Sequence, residues 1–352
     1  MSRPDHAATP ATDLDTWEVR LRELCDRIRT GARDAMGSAL ERGALSDVDR
    51  PVAQGAGDVT YGLDLPTEEV LSSWLSECAR SGPLSLLTED SGWRHMGPDP
   101  AGGAPVTLPG FDHGGPRIVV DPVDGTRNLM ADLRPAWTVL AFCPPGSAQP
   151  RLSEVNYGVL AEIPDSRAAT WRWIHARRGG GARLERHALA DGAREEQRPL
   201  VCDDDDRPDH GYFPFFCFSH AMRPLLSTIS ADFFERLATA EGADVRHCYD
   251  DQYISNGGQL ALLALGTYRM IADLRAALGD RVGTDCVSSK PYDCAGAILV
   301  AREAGCVVLD EDGGALDFDL DTTTPVSFVG FANQATRERL EPHLAATLDR
   351  AR

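Results

Sequence analysis

Apolar positions recur at helical spacing over residues 16 to about 40. Trp17, Leu21, Leu24, Cys25 and Ile28 fall on one stripe with Arg and Glu between them, which predicts an amphipathic helix. A second helix is expected from near Pro66, since proline is tolerated in a first turn. Val70, Leu71, Trp74, Leu75 and Cys78 form its buried face, and Gly82-Pro83 stops it. Between the two, residues 58–64 read as a short β-like stretch around Val59-Thr60-Tyr61. Residues 84–87 read as a strand ending at Thr88-Glu89-Asp90, and residues 117–120 as an apolar strand running into Asp121-Pro122-Val123-Asp124-Gly125-Thr126. Further strands are expected over 137–143, 155–163 and 168–176, with a turn at Gly179-Gly180-Gly181. The Gly- and Pro-rich segment 92–116 reads as a long surface loop. Downstream, 233–240 and 258–265 read as helices and 268–272 as a strand. Residues 293–304 form a strong helix candidate with Gly305 at its C-terminal cap, followed by a strand over 306–309. Strands and helices alternate irregularly, which predicts α/β layers rather than a barrel.

A chain of 352 residues suggests two domains or subdomains, at roughly 150 residues each. We expect a disordered tail over 1–13, an N-terminal α+β subdomain over 14–165 and a C-terminal α/β subdomain over 166–352. The formal charge of −19 argues against a nucleic-acid polymer as partner, because such binders present a basic stripe. It permits an anionic small substrate only if cations sit between protein and ligand. Nine scattered cysteines with no C-x-x-C pair read as free thiols of a cytoplasmic protein rather than a zinc ribbon or disulfide framework. The polar first 15 residues do not read as a signal peptide, and no stretch is apolar enough to predict a membrane span.

The run 121–126 carries the sharpest chemistry. An apolar strand delivers Asp121 and Asp124 at its end, Pro122 stiffens the turn, and Gly125 permits a conformation that other residues resist. Backbone amides after Asp124 are then free to face an anion, and carboxylates completed by water and phosphate suit Mg²⁺. Read alone, the run is equally a self-capping Asp-rich turn. Glu89 at a strand end, Asp64 before Pro66 and Asp293 at a helix start each have a similarly plain structural explanation. A cluster of acids neutralised by divalent cations covers all of them together. The Asp203–Asp206 run reads as a solvated loop.

In order, Asp58 through Asp64, Thr88-Glu89-Asp90, Asp121 through Thr126 with Asn128, Gly179 to Ala182, Ser255-Asn256-Gly257-Gly258 and Tyr292-Asp293-Cys294-Ala295-Gly296 resemble the motifs of the inositol monophosphatase-like superfamily. That superfamily includes fructose-1,6-bisphosphatases and 3′-phosphoadenosine phosphatases. The resemblance implies a layered αβαβα sandwich, a homodimer, and a Mg²⁺-dependent phosphomonoesterase acting on a small sugar, inositol or nucleoside phosphate. It implies that Glu89, Asp121 and the Val123 carbonyl hold one metal and that Asp121, Asp124 and Asp293 hold a second, with a third, weaker ion near Glu89. It also implies that Thr126, paired with Asp64, orients and deprotonates the attacking water, while the amides of Gly125 and Thr126 bind phosphate oxygens. Ser255, Asn256, Gly257, Gly258 and Asp273 then fall on the substrate side.

Asp273 is placed either against a polyol or in an ion pair with Arg269 or Arg275. Arg275, Arg281 and Lys290, the chain's single lysine, either meet a second phosphate or a base or decorate a charged loop. The Phe213 to Phe218 aromatics, with Tyr249 and Tyr253, either stack on a nucleobase or serve core packing or a dimer contact. His95, His113, His175 and His247 show no zinc-like spacing. The chain departs from the family at Asp90, one methylene shorter than the usual second glutamate, at Tyr292 in place of tryptophan, and in segments 92–116, 199–218 and 274–290. Those segments leave open fructose-1,6-bisphosphatase or 3′-phosphonucleotide phosphatase specificity, and a catalytically silent, metabolite-binding regulator remains the rival class.

Overall fold

The computed structural model describes residues 14–42, 50–54, 59–282 and 287–351. Asp58, part of the first motif, and Cys286 lie outside them. In chain order the elements are α1 (Leu14–Arg42), β1 (Pro51–Gln54), β2 (Val59–Tyr61), α2 (Asp64–Ser81), β3 (Leu84–Thr88), β4 (Gly92–Gly97), β5 (Val106–Thr107), β6 (Arg117–Asp124), α3 (Thr126–Met130), β7 (Ala136–Cys143), β8 (Tyr157–Ile163), β9 (Thr170–Arg177), β10 (Gly181–Ala188) and β11 (Arg194–Leu200). They continue with α4 (Arg223–Glu241), α5 (Asn256–Ala264), β12 (Met270–Asp273), α6 (Arg275–Leu278), α7 (Pro291–Glu303), β13 (Val307–Leu309), β14 (Phe328–Phe331) and α8 (Gln334–Ala351).

Nine strands form one sheet in the order β11-β10-β9-β8-β7-β6-β3-β4-β5. β3 and β6 run parallel; the other neighbours described are antiparallel. Position 165 falls in the turn between β8 and β9, two neighbours of this sheet. β12, β14 and β13 make a second, antiparallel sheet.

The central strands read as unbroken apolar runs because both faces of the large sheet are covered. Ile118 and Val120 of β6, with Leu140 and Phe142 of β7, pack with Trp17, Leu21, Ile28, Leu71 and Trp74 of α1 and α2. Val119, Val139 and Ala141 face the other way, toward Leu260 of α5 and Ile298 of α7. A third cluster joins β12 and β14 to α4 and α8 through Phe233, Leu237, Met270, Phe331, Leu340 and Leu344. The layers are therefore α1/α2, large sheet, α5/α7, small sheet, α4/α8. This is the αβαβα sandwich expected.

Segment 92–116 is not wholly a loop. β4 pairs with β3 from Thr88↔Gly92 to Leu84↔Met96, and Trp93 Nε1 donates to Leu320 O at 2.8 Å. Its residues are half-buried at the sheet margin, so the sequence shows no clean alternation there. β10 and β11 are further strands beyond those expected; β11 ends the sheet and is mostly exposed, whereas β10 lies between β11 and β9 with largely alternating burial. α8, also unanticipated, carries a proline at Pro342.

One contact sets how α7 lies on the sheet. A Cβ at Gly296 would sit 1.9 Å from Leu140 O, and one at Gly158 would sit 2.3 Å from Gly296 O. Backbone thus rests on backbone, and the helix comes close enough to aim its first turn across the strand ends. Gly296→Ala is expected to lower unfolding stability in urea by about 1–3 kcal/mol, the usual cost of overpacking. Gly37→Ala, on the exposed side of α1 with nothing within 4 Å of the new methyl, is expected to raise it by about 0.5–1 kcal/mol. Equal shifts in the two variants would contradict the close approach.

Candidate active site

The site grows out of the end of β6. Pairing with β7 is regular to Asp121↔Val139 and shifts before Asp124↔Trp137, because Pro122 has no amide hydrogen to give the ladder. Its carbonyl instead accepts from Thr138 Oγ1 at 2.9 Å. Asp121 turns back so that Oδ1 accepts from Val123 N at 3.0 Å. Gly125 then takes φ 97°, and a Cβ there would meet Ser255 Cβ at 3.0 Å. Both the left-handed backbone and the close approach require glycine. Asn128 fastens the turn to the opposite segment through Nδ2 to Ile254 O at 2.6 Å.

That opposite segment is the start of α5. Ser255 is its N-cap: Oγ accepts from Gly258 N at 2.8 Å and donates to Asp124 Oδ2 at 2.7 Å. Asp124 also accepts from Gly257 N at 2.5 Å and from Asn256 N at 3.3 Å. Gly257 and Gly258 do not line the cavity. They make room, since a Cβ at Gly257 would fall 2.5 Å from Val139 Cγ2 and one at Gly258 2.4 Å from the Tyr253 ring. Burial raises the Asp124 carboxyl to about 6, against the opposing pull of Ser255 and the Gly257 and Asn256 amides.

Asp64 and Thr126 meet as expected. Thr126 Oγ1 lies 2.8 Å from Val123 O and 3.3 Å from Asp64 Oδ1, and Asp64 Oδ2 accepts from Tyr61 N at 2.7 Å. Burial raises the Asp64 carboxyl to about 6. Asp293, in the first turn of α7, accepts from Lys290 N at 2.8 Å. The Tyr292 hydroxyl bonds Glu89 at the end of β3, tying two motifs that lie far apart in the chain.

Asp64, Glu89, Asp121, Asp124 and Asp293 line one cavity with Val123, Gly125, Thr126, Ser255 and Asn256. Burial lifts the Asp121 carboxyl well above its ordinary range, and repulsion from Asp124, Asp293 and Glu89 adds to this. Among the described residues no three His, Cys, Asp or Glu side chains already form a closed cation cage. The acids instead border a shared space, with oxygens engaged by backbone amides. The donor chemistry nonetheless fits a hard cation: no sulfur or imidazole lines the cavity, and mutually repelling carboxylates are what such an ion relieves.

Asp273 is not brought to the cavity. It is 1% exposed, and Arg275 holds it through Nε–Oδ1 at 2.9 Å and Nη2–Oδ2 at 2.7 Å, while Asn256 Nδ2 donates to Oδ2 at 3.0 Å. Of the alternatives open for it, the ion pair with Arg275 is the arrangement present. Arg269 pairs elsewhere, with Asp203 and Asp205.

Arg127, Arg275, Lys290, Tyr61, Phe216 and Phe218 also line the cavity. The aromatic run divides by alternation. Phe213, Phe215 and Cys217 enter the core under α4, while Phe216 and Phe218 face the site. Backbone pairing with β12, through Phe216 N to Ala272 O at 2.9 Å and Ala272 N to Pro214 O at 3.0 Å, explains the extended period of two. Arg127 follows Thr126 directly, and that adjacency was the one available signal for it. The histidines take structural partners: His95 Nδ1 and His113 Nε2 each lie 2.7 Å from Ser85 Oγ, and His175 Nδ1 lies 3.2 Å from Tyr157 Oη.

No protein-family model matches the chain. It is 24% identical over 333 residues to a Methanothermobacter thermautotrophicus protein named fructose-1,6-bisphosphatase/inositol-1-monophosphatase, covering 94% of this chain and 96% of that one. Among solved structures, a hypothetical protein of Pyrococcus horikoshii with similarities to inositol-1 monophosphatase superposes with a TM-score of 0.61 at 16% identity, covering 94% and 98% of the two chains. The extragenic suppressor protein SuhB of Bartonella henselae gives 0.61 at 17%, covering 94% and 98%. The chain thus has the fold of the inositol monophosphatase/fructose-1,6-bisphosphatase type, and at that level the resemblance drawn from its motifs is borne out.

Ser255→Ala removes the cap of α5 and the hydroxyl donor to Asp124. Its expected cost is about 0.5–2 kcal/mol in chemical denaturation, and an unchanged midpoint and slope would show that α5 does not depend on that bond.

Proposed function

We propose that the protein is a Mg²⁺-dependent phosphomonoesterase of a small phosphorylated metabolite, a sugar, inositol or nucleoside phosphate. The observation that carries this reading is the convergence of Glu89, Asp121, Asp124 and Asp293, from β3, β6 and α7, beside the Asp64–Thr126 pair in one cavity. The names of its relatives point the same way. The Staphylococcus aureus inositol monophosphatase II, of similar fold, has been solved with inositol monophosphate and with 2′-AMP, so one such scaffold takes both a polyol phosphate and a nucleotide.

Glu89, Asp121 and the Val123 carbonyl would hold one cation, and Asp121, Asp124 and Asp293 a second, with a weaker third near Glu89. When bound, Mg²⁺ supplies neutralisation of phosphate charge and acidification of water. The protein's own part is positioning. Asp64, held by Tyr61 N, accepts through Thr126 Oγ1 the proton of the attacking water. The amides of Gly125 and Thr126 face the phosphate oxygens, in keeping with the positioning that phosphoryl transfer chiefly requires. A homodimer and a cytoplasmic setting, expected from the resemblance, belong to the same proposal. Among the described residues no helix is long and apolar enough to cross a membrane.

A panel of sugar, inositol and nucleoside phosphates, assayed with Mg²⁺ and with EDTA, is expected to release phosphate only with the metal. Asp293→Asn should slow release by about a hundredfold or more, the scale for losing a charge-stabilising group. Asp121→Asn should do the same, yet raise the melting temperature of the EDTA-treated protein, because it relieves repulsion among four closely placed acids, of which Asp121 and Asp124 are buried. Near-parental turnover in either variant refutes its assignment to the metal site.

A further inference from the structure

No cysteine lines the acidic cavity, yet two cysteines far apart in the chain meet elsewhere. Cys202 follows β11, the last strand of the large sheet, and Cys306 lies between α7 and β13. Cys202 N donates to Ala304 O at 2.8 Å, which lays the chain leaving β11 along the end of α7. Gly305 permits the approach: it takes φ 102°, and a Cβ there would fall 2.9 Å from Cys202 Sγ. The Cys202 sulfur thus lies over the residue before Cys306, and the two thiols bond each other. Cys306 belongs to the cluster between the large sheet and α5/α7, and Cys202 packs against that cluster from outside. Just beyond it, Arg269 pairs with Asp203 and Asp205, and Asn333 Nδ2 donates to Asp203 O at 2.8 Å. Cys202 therefore stands where the chain passes from the edge of the large sheet to the small-sheet layer.

The two sulfurs are not equivalent. Cys306 is 5% exposed, and the bond to Cys202, with burial added, holds its thiol well above the ordinary range. Cys202 is half-buried. The bond from Cys306 favours its thiolate, against burial and the neighbouring Asp203 and Asp204 carboxylates. Burial instead raises the thiols of Cys25, Cys78, Cys143, Cys248 and Cys294. A reachable sulfur backed by a buried one is the arrangement in which the first is oxidised and the second resolves it.

We propose that Cys202 and Cys306 are a site of reversible oxidation, where a hydroperoxide converts the thiol pair into a disulfide that staples the end of β11 to the turn between α7 and β13. The Cys202 sulfur attacks a peroxide oxygen, the O–O bond breaks, and the departing hydroxide takes up a proton to become water. Cys202 is left as a sulfenic acid. The Cys306 sulfur then attacks the Cys202 sulfur, the S–O bond breaks, and the second hydroxide leaves with the Cys306 proton as water. In sum the two thiols lose two hydrogens and two electrons, and hydrogen peroxide is reduced to two waters. The bond closes a loop of roughly a hundred residues that carries α4, α5, β12, α6 and α7. The inference is independent of whether the acidic cavity releases phosphate.

The test treats the reduced full chain with equimolar hydrogen peroxide, alkylates the remaining thiols under denaturing conditions and maps the peptides by mass. One intramolecular bridge joining the Cys202 and Cys306 peptides is expected, two hydrogens lighter than the reduced pair and reopened by dithiothreitol. The bridged protein should melt about 4–8 °C above the reduced one, the scale for closing a long loop. Cys202→Ser should abolish both the bridge and the rise in melting temperature. Cys306→Ser should also abolish both, and should leave a sulfenic acid at Cys202 that dimedone captures. Because Cys306 is buried, Cys306→Ala is made alongside, and whichever variant keeps the melting temperature of the reduced parent is used. Overoxidation of Cys202 to a sulfinic acid with Cys306 unmodified, or a bridge to another cysteine or to a second chain, overturns the site. Dimedone capture at Cys306 in Cys202→Ser, with none at Cys202 in the Cys306 variants, overturns the order of attack. A bridged protein that melts with the reduced one overturns the staple.

Discussion

Gathering carboxylates in a space largely withdrawn from water is the constraint on which the rest of the structure depends. Each one repels the next, and burial adds a desolvation cost that the chain must offset locally. The means differ from acid to acid. Asp121 folds onto Val123 N, Asp124 faces the first amides of α5, Asp64 takes Tyr61 N, and Asp293 takes Lys290 N. The donors are mostly backbone N–H groups at turns and helix starts, fixed in direction and carrying no counter-charge. These amide bonds orient the acids without themselves adding a charge.

Orientation of that kind depends on helices arriving at short range. α7 can place Asp293 beside the end of β3 because Gly296 and Gly158 let its backbone touch the sheet. α5 can present its amides to Asp124 because Gly257 and Gly258 clear Val139 and Tyr253. The glycines of both motifs thus act at a distance from any chemistry. They set the separation between layers, and the separation sets where the acids point. The Tyr292 hydroxyl on Glu89 joins the two sides once they are close.

This explains which parts of the protein were legible in its sequence. Buried helices with a single apolar stripe, such as α1 and α2, and doubly covered strands such as β6 and β7 carry their environment in their periodicity. The acids were legible because they stand beside glycine or proline at the ends of such elements. Elements at the margins were not: β4, β11 and α8 are half-exposed or polar, and their pairing is decided by neighbours distant in the chain. The aromatic run 213–218 could be read as core or as site, and it is both. Its assignment turned on a strand-like pairing with β12 that no local pattern announces.

The pairing of Asp273 with Arg275 was the least legible step and has the widest consequence. Two residues apart, they can share a bidentate bond only if the chain turns immediately after β12, as the short α6 makes it do. Within the cavity, five acids and three basic side chains share one lining. Asp64, Asp121, Asp124 and Asp293 accept from backbone amides, and Arg127 and Arg275 stack on aromatic faces. Asp273 is the exception that supports this account: it pairs with an arginine, and it is also the acid excluded from the wall. With five acids against three basic residues the lining is net acidic by formal charge, in keeping with a chain at −19. The overall charge therefore gives no long-range attraction to an anion, and any anion the cavity took would have to be held by short-range contacts within it.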